Sequence, residues 1–263
     1  MIRLPLFYIV LIVVVAGCTD NSHRDTAVGS VGGDNIRVAV ASNFAEPAKA
    51  IAEAFEKESG HAVTLAFGST GKHYAQFRHG LPFEVFLAAD IRRPKLLEEE
   101  GIAIAGSRFT YAIGKIALWS PDENLVDAEA NVLTEGKFKH IALANPKLAP
   151  YGAAAQTVLE KRGAWKGIRK RYVLGENIAQ TYQFVASGNA QLGFVALSQI
   201  QRPGKPIKGS YFVFDPALYE PIAQQAVLLK NSDAARAFLT FLRSDAALEI
   251  IKGFGYHMPG AGQ

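Results

Sequence analysis

Cysteine is almost missing from this 263-residue chain: Cys18 stands alone. No disulfide can therefore form within it, and no cysteine cluster can hold zinc or iron. The six histidines show no i, i+4 pair, so zinc-ligand spacing is lacking as well. Charge of one sign is also scarce. The formal net charge is only +4, with basic and acidic side chains scattered along the chain, which does not mark a nucleic-acid surface. Catalytic motifs fail on particular residues. Gly68-Ser69-Thr70-Gly71-Lys72 is not a P-loop, because Ala66 stands where the first glycine belongs and His73 follows the lysine. It is not a nucleophile elbow either, because Phe67 replaces the glycine two before the serine. No pair of carboxylates stands out as general acid and base. By elimination the chain reads as a binder, not an enzyme, with no cofactor.

Long apolar runs are limited to Leu4–Val15, too short for a comfortable membrane span. With Arg3 before it and Val15-Ala16-Gly17-Cys18 after it, residues 1–17 resemble a bacterial lipoprotein signal, and Cys18 becomes the lipidated first residue of the mature chain. Without Arg3 the balance is 27 basic against 24 acidic side chains. Residues 18–34, rich in Ser, Gly, Asp and Asn, read as a flexible tether.

What remains is rich in core-forming residues, 49% hydrophobic, and is organised around residues 36–80. Ile36–Ala41 is a β-branched, strand-like run that stops at Ser42-Asn43. Ala48, Ile51, Ala52 and Phe55 then recur at helical spacing until Gly60, and Asn43 with Glu46 three residues on reads as a capping box. Ala62–Phe67 is a second strand, ending at Gly68-Ser69-Thr70-Gly71 before another helix. Both turns place small polar side chains at a helix N-terminus beyond a strand's carboxyl end, the edge at which open α/β sheets bind ligands. Helix N-termini carry free N–H groups and partial positive charge, so the paired turns suggest an anion site.

Further along, strands are expected at 83–89, 141–144, 171–174, 192–197 and 211–214, alternating with helices at 94–100, 153–162 and 178–186. This pattern argues for α/β units and largely parallel sheets. Phe109–Trp119 is long for a strand and carries Gly114 as a bend, which suits a chain crossing between two lobes. Ala223–Lys230 is the candidate return, and helices follow at 234–243 and 245–252.

Several stretches in order, among them Val40-Ala41-Ser42-Asn43-Phe44, Gly68-Ser69-Thr70-Gly71, Asn145-Pro146-Lys147-Leu148-Ala149-Pro150-Tyr151-Gly152 and Tyr219-Glu220-Pro221-Ile222, resemble the molybdate-binding proteins of ABC importers. The resemblance runs roughly from Ile36 to Pro259. It implies an α/β, two-lobed periplasmic-binding-protein fold, with two mainly parallel sheets flanked by helices and a ligand cleft and hinge between them. Residues 35–113 and 224–263 would form lobe 1, and 114–223 lobe 2, with the hinge near Gly114 and Ile222. The oxyanion would sit in the cleft, held by neutral donors with no metal. Ser42 and Asn43 match the first-turn ligands, Ser69 the second-turn hydroxyl, Tyr151 a phenol or backbone donor from the opposite lobe, and Ile178 a backbone N–H at a helix start. Lys72 would point to water, and Glu46 would cap its own helix.

The implied partners are molybdate or tungstate, an ABC permease, and the membrane through a lipid on Cys18. Nucleic acid is not among them, and monomer is the default state. The implied location is extracytoplasmic, in the periplasm or on the outer face of the cytoplasmic membrane. The alternatives are another tetrahedral oxyanion, such as sulfate or thiosulfate, or a sensor on the same scaffold.

Overall fold

Alternation along the first strand explains why it becomes the centre of a sheet covered on both sides. In β1 (Asn35–Ala41), Ile36, Val38 and Val40 point into one apolar cluster, while Ala39 points into another on the opposite face. All four are at most 1% exposed. A computed structural model describes residues 33–260. The signal reading of residues 1–17, the lipidation reading of Cys18 and nearly all of the proposed tether lie outside the described residues.

From β1 the chain forms α1 (Ala45–Ser59), β2 (Ala62–Gly68), α2 (Thr70–Arg78), β3 (Val85–Leu87), α3 (Arg92–Glu99) and β4 (Phe109–Gly114). After Lys115 come β5 (Ile116–Ser120), α4 (Val132–Glu135), β6 (Ile141–Ala144), α5 (Pro150–Lys161), α6 (Trp165–Ile168), β7 (Tyr172–Gly175), α7 (Ile178–Ala186), β8 (Leu192–Ala196), α8 (Leu197–Ile200) and β9 (Ser210–Val213). The chain then returns through β10 (Ile222–Leu228) and ends in α9 (Asp233–Phe241) and α10 (Asp245–Gly253). Helix α1 buries Ala48, Ile51, Ala52 and Phe55, the stripe expected from its spacing, and stops at Gly60 with φ +75°. The single-turn helices α4, α6 and α8 were not anticipated, since four residues are too few for an apolar period to register.

The strands form two five-stranded sheets, ordered β2-β1-β3-β10-β4 and β7-β6-β8-β5-β9. Each is mixed. β2, β1 and β3 run parallel, as do β7, β6 and β8, whereas β10 and β4 in the first sheet and β5 and β9 in the second add antiparallel pairings. The βαβ pattern predicts the parallel part; the antiparallel part comes from the strands on which the chain passes between sheets, which lack a crossover helix. In the first sheet, Phe55, Phe238 and Ile251 cover one face, and Phe77, Phe83 and Leu97 the other. In the second, Ile116, Leu118, Leu143 and Phe194 pack towards α5, while Ala117, Ala142 and Val195 meet Val185 of α7. Burying each large apolar side chain in this way contributes about 1.5 to 3 kcal/mol.

The run 109–119 proves to be two strands, one in each sheet. Gly114 ends β4 and pairs with Ile222 at the start of β10, so both passages lie side by side. A Cβ on Gly114 would collide with the Tyr151 hydroxyl, so the glycine is required by a close approach rather than by an unusual backbone angle.

The capping box at residues 43–46 does not form. Ser42–Phe44 make one 3₁₀ turn, and α1 begins at Ala45 without a side-chain cap. The Asn43 amide is drawn into the interior by buried partners, and Glu46 bonds Lys49 at 2.8 Å instead.

Gly152 lies in the first turn of α5, where a Cβ would strike the Ala144 carbonyl at the end of β6. Because backbone rather than a flexible side chain must yield, Gly152→Ala is expected to cost about 1 to 3 kcal/mol of stability. Urea unfolding monitored by circular dichroism checks this, and an unchanged midpoint refutes it.

Candidate functional site

Four turns that lead into helices meet at one point. They are Ser42-Asn43 after β1, Ser69-Thr70 after β2, Ala149-Pro150-Tyr151 entering α5, and Asn177-Ile178 after β7. Two come from elements of the first sheet and two from the second. The cavity between them has a volume of about 10 Å³. A single water needs roughly 10 to 15 Å³ on this measure, so the space as it stands is about the size of one small group. A larger hollow of about 260 Å³ beside Trp165 and Tyr172 is lined by residues of the second half alone and brings no such junctions together.

All five residues singled out from the sequence, Ser42, Asn43, Ser69, Tyr151 and Ile178, line this cavity. Their atoms face it in different ways. The Ser69 hydroxyl caps α2 by accepting from Lys72 N at 3.3 Å, which leaves its own proton to donate. The Ser42 hydroxyl reaches across to the other half, 3.2 Å from Asn177 Oδ1 and 3.4 Å from Ala179 N. Tyr151 and Ile178 occupy the first turns of α5 and α7, where backbone N–H groups have no intrahelical acceptor. The Asn43 side chain and the Tyr151 phenol, by contrast, are engaged in the interior. No Asp, Glu, Lys, Arg or His lines the cavity. Lys72 points outward and pairs with Glu176 across the cleft at 3.0 Å, both about half exposed.

The two halves touch around the cavity. Gly71 N donates to Leu148 O at 2.9 Å, and Ser198 Oγ to Asn43 O at 2.9 Å. Behind the cavity lies a buried, uncharged network. The Asn43 amide donates to Gln224 Oε1 at 2.8 Å and to the Tyr256 hydroxyl at 3.0 Å. Tyr111 donates to Gln224 Oε1 at 3.1 Å, and Gln224 Nε2 donates to the Tyr151 hydroxyl at 3.2 Å. Burial pushes the Tyr111 and Tyr151 phenols well above their usual range, and raises Tyr256 to about 12 against the opposing pull of its hydrogen bonds. All three therefore remain neutral at physiological pH.

Gln224 escaped the sequence reading, and Thr70 and Asn177 entered it only as turn residues. Thr70 Oγ1 accepts from Ala89 N at 3.1 Å, tying the second turn to the end of β3, and Asn177 caps α7 by accepting from Gln180 N at 3.0 Å. Gln224 had a usable signal. A polar residue inside the apolar run Ile222–Leu228 has to find buried partners.

Two sheets exchanging the chain at paired passages, with a small polar cavity where helix N-termini from both meet, define a two-lobed solute-binding protein. The chain belongs to the bacterial extracellular solute-binding protein family, whose model matches residues 36–257. It is 52% identical to the molybdate-binding protein ModA of Azotobacter vinelandii over 84% of this chain and 89% of that one. Its identity to the molybdate-binding protein ModA of Rhodobacter capsulatus is 50%, over 83% and 86% of the two chains. Among solved structures, the Azotobacter vinelandii periplasmic molybdate-binding protein superposes with a TM-score of 0.83 at 41% identity, covering 85% of this chain and 99% of that one. These relatives are binding proteins, in agreement with the reading of the chain as a binder rather than an enzyme.

Behind the Ser69-Thr70 turn, His73 is 4% exposed and packed by Phe77, Phe83 and Phe86, with ring nitrogens 3.3 Å from Val40 O and 3.1 Å from Gln76 Oε1. Burial lowers its pKa, and the Lys72 ammonium acts in the same direction, against the two hydrogen bonds. The folded chain thus holds a neutral imidazole at pH values where the unfolded chain, near 6.5, already takes up a proton. Stability contributed by this group is present above about pH 7 and falls as the pH drops through 6.5. Chemical denaturation at pH 7 and pH 5 checks this: His73→Gln should lose stability less steeply over that interval, and an unchanged slope refutes the assignment.

Proposed function

We propose that the cavity captures a fully deprotonated tetrahedral oxyanion, molybdate and by the same chemistry tungstate, and that the protein delivers it to an ABC permease. The observation that carries this reading is the convergence of four helix N-termini on one cavity that no charged side chain lines. Every oxygen of such a dianion accepts and none donates. Hydroxyl and backbone N–H donors, together with the diffuse positive potential of helix ends, complement it without a metal. The proposed donors are the hydroxyl of Ser69 and the first-turn N–H groups beside Ser42, Asn43, Tyr151 and Ile178, while the Ser42 hydroxyl lines the site with its proton on Asn177 Oδ1.

A hydrogen phosphate would bring a proton in need of an acceptor. The side-chain acceptor at hand, Asn177 Oδ1, already takes hydrogen bonds from Gln180 N and Ser42. Leaving that proton unpaired costs about 1 to 3 kcal/mol. The named ligand of the two relatives at 50% and 52% identity supports molybdate among the dianions.

On this reading residues 35–113 with 224–263 and residues 114–223 move as two lobes about the passages at Gly114 and Ile222. Membership of an extracellular binding family supports a role outside the cytoplasm. Cys18 would be lipidated and residues 18–34 would tether the binding unit to the membrane.

Calorimetric titration of the chain from Gly33 onward tests the assignment. One-to-one binding of molybdate and tungstate, with sulfate and phosphate silent, is expected; binding of sulfate or phosphate instead overturns the ligand. Ser69→Ala should weaken molybdate binding by about 1 to 3 kcal/mol through loss of a buried donor, and unchanged affinity removes that hydroxyl from the site.

A further inference from the structure

We propose that Gln224, which does not line the cavity, is a positioning residue for it, and that its buried amide ties the Asn43 turn of one half to the Tyr151 helix end of the other. The proposal rests on the oxyanion reading above. Gln224 sits on β10, the strand on which the chain returns to the first sheet, and is 0% exposed. Its carbonyl accepts from Asn43 Nδ2 at 2.8 Å and from the Tyr111 hydroxyl at 3.1 Å, and its NH₂ donates to the Tyr151 hydroxyl at 3.2 Å.

Tyr111 also lies 3.2 Å from the carbonyl of Ala88, the neighbour of the cavity-lining Ala89. One side chain therefore joins three of the segments that shape the site. A side-chain amide both accepts and donates while carrying no charge. A carboxylate here would bring a negative charge close to a dianion, and an aliphatic side chain would leave Asn43 and Tyr151 without this partner. Gly114 supports the same arrangement, because any side chain there would displace the Tyr151 hydroxyl and crowd Gln224 Nε2.

If Gln224 only filled space, an apolar residue of its length would serve. If it works through Tyr151, removing the Tyr151 hydroxyl after Gln224 has gone should cost little more. The test is a double-mutant cycle of Q224M and Y151F in the purified protein, with molybdate affinity measured by calorimetry, dissociation rates by stopped flow, and ligand-free thermal stability for each variant. Q224M is expected to weaken binding about tenfold, mainly through faster dissociation, and the double variant to stay within about twofold of Q224M. Losses that multiply, or a Q224M affinity within about twofold of the unaltered protein, overturn the proposal. Should Q224M fail to fold, Y111F takes its place in the cycle, and multiplying losses there overturn it equally. Silence of the unaltered protein towards molybdate, tungstate, sulfate and phosphate would instead strike the oxyanion reading itself.

Discussion

Helix ends that stabilise an anion do so only where they stand, because the partial charge of each falls off within about one turn. The first turns of α2, α5 and α7, with the 3₁₀ turn before α1, have to meet within a cavity of about 10 Å³. That demand accounts for much of the architecture. Each sheet supplies junctions at the carboxyl ends of parallel strands, β1 and β2 in one and β7 in the other, with α5 entering from the end of β6. Bringing the two edges together requires close backbone approach, which explains why Gly152 sits against Ala144 and why Gly71, whose N–H reaches Leu148, has little room for a side chain.

Neutrality runs through the same region. Asn43, Gln224, Ser198 and the phenols of Tyr111, Tyr151 and Tyr256 form a buried network in which hydrogen bonding is satisfied without an ion. Burial holds the phenols protonated, so they act as fixed dipoles across the physiological range. A buried ion pair in this place would carry a large desolvation cost and would set a monopole beside the cavity. The charged groups nearby are instead kept at the rim. Lys72 and Glu176 meet in solvent, where such a pair contributes little.

Local chemistry was legible in the sequence, and long-range chemistry was not. Ser42, Asn43 and Ser69 stand at strand–helix junctions as expected, because small polar residues between a strand and a helix carry their meaning within a few positions, and Gly114 was found because it interrupts an apolar run. The reason for Gly114 was hidden, since its constraint is the hydroxyl of Tyr151, far along the chain. Asn43 shows the same limit. Spacing to Glu46 suggested a cap, but the amide has stronger partners in Gln224 and Tyr256, 181 and 213 residues away. The parallel core of each sheet followed from strand–helix alternation, whereas the antiparallel strands depended on where the chain passes between sheets.

Closure and selectivity then become parts of one problem. Several contacts joining the halves near the cavity, Gly71 to Leu148, Ser42 to Asn177 and Ser198 to Asn43, are single neutral hydrogen bonds, each worth roughly 0.5 to 1.5 kcal/mol net, beside a charged bond from Arg93 to the Lys147 carbonyl and the exposed Lys72–Glu176 pair. A few such bonds hold the halves together only weakly by themselves. On the proposed reading, a dianion that accepts from donors on both sides would add charge-assisted bonds, about twice as strong, and would favour a closed arrangement by its differential contacts with it. An anion that leaves one donor unmatched, or brings a proton with no acceptor, forfeits part of that gain. On the proposed oxyanion reading, discrimination would follow from requiring both halves to be satisfied at once, with no charged side chain lining the cavity to attract anions indiscriminately.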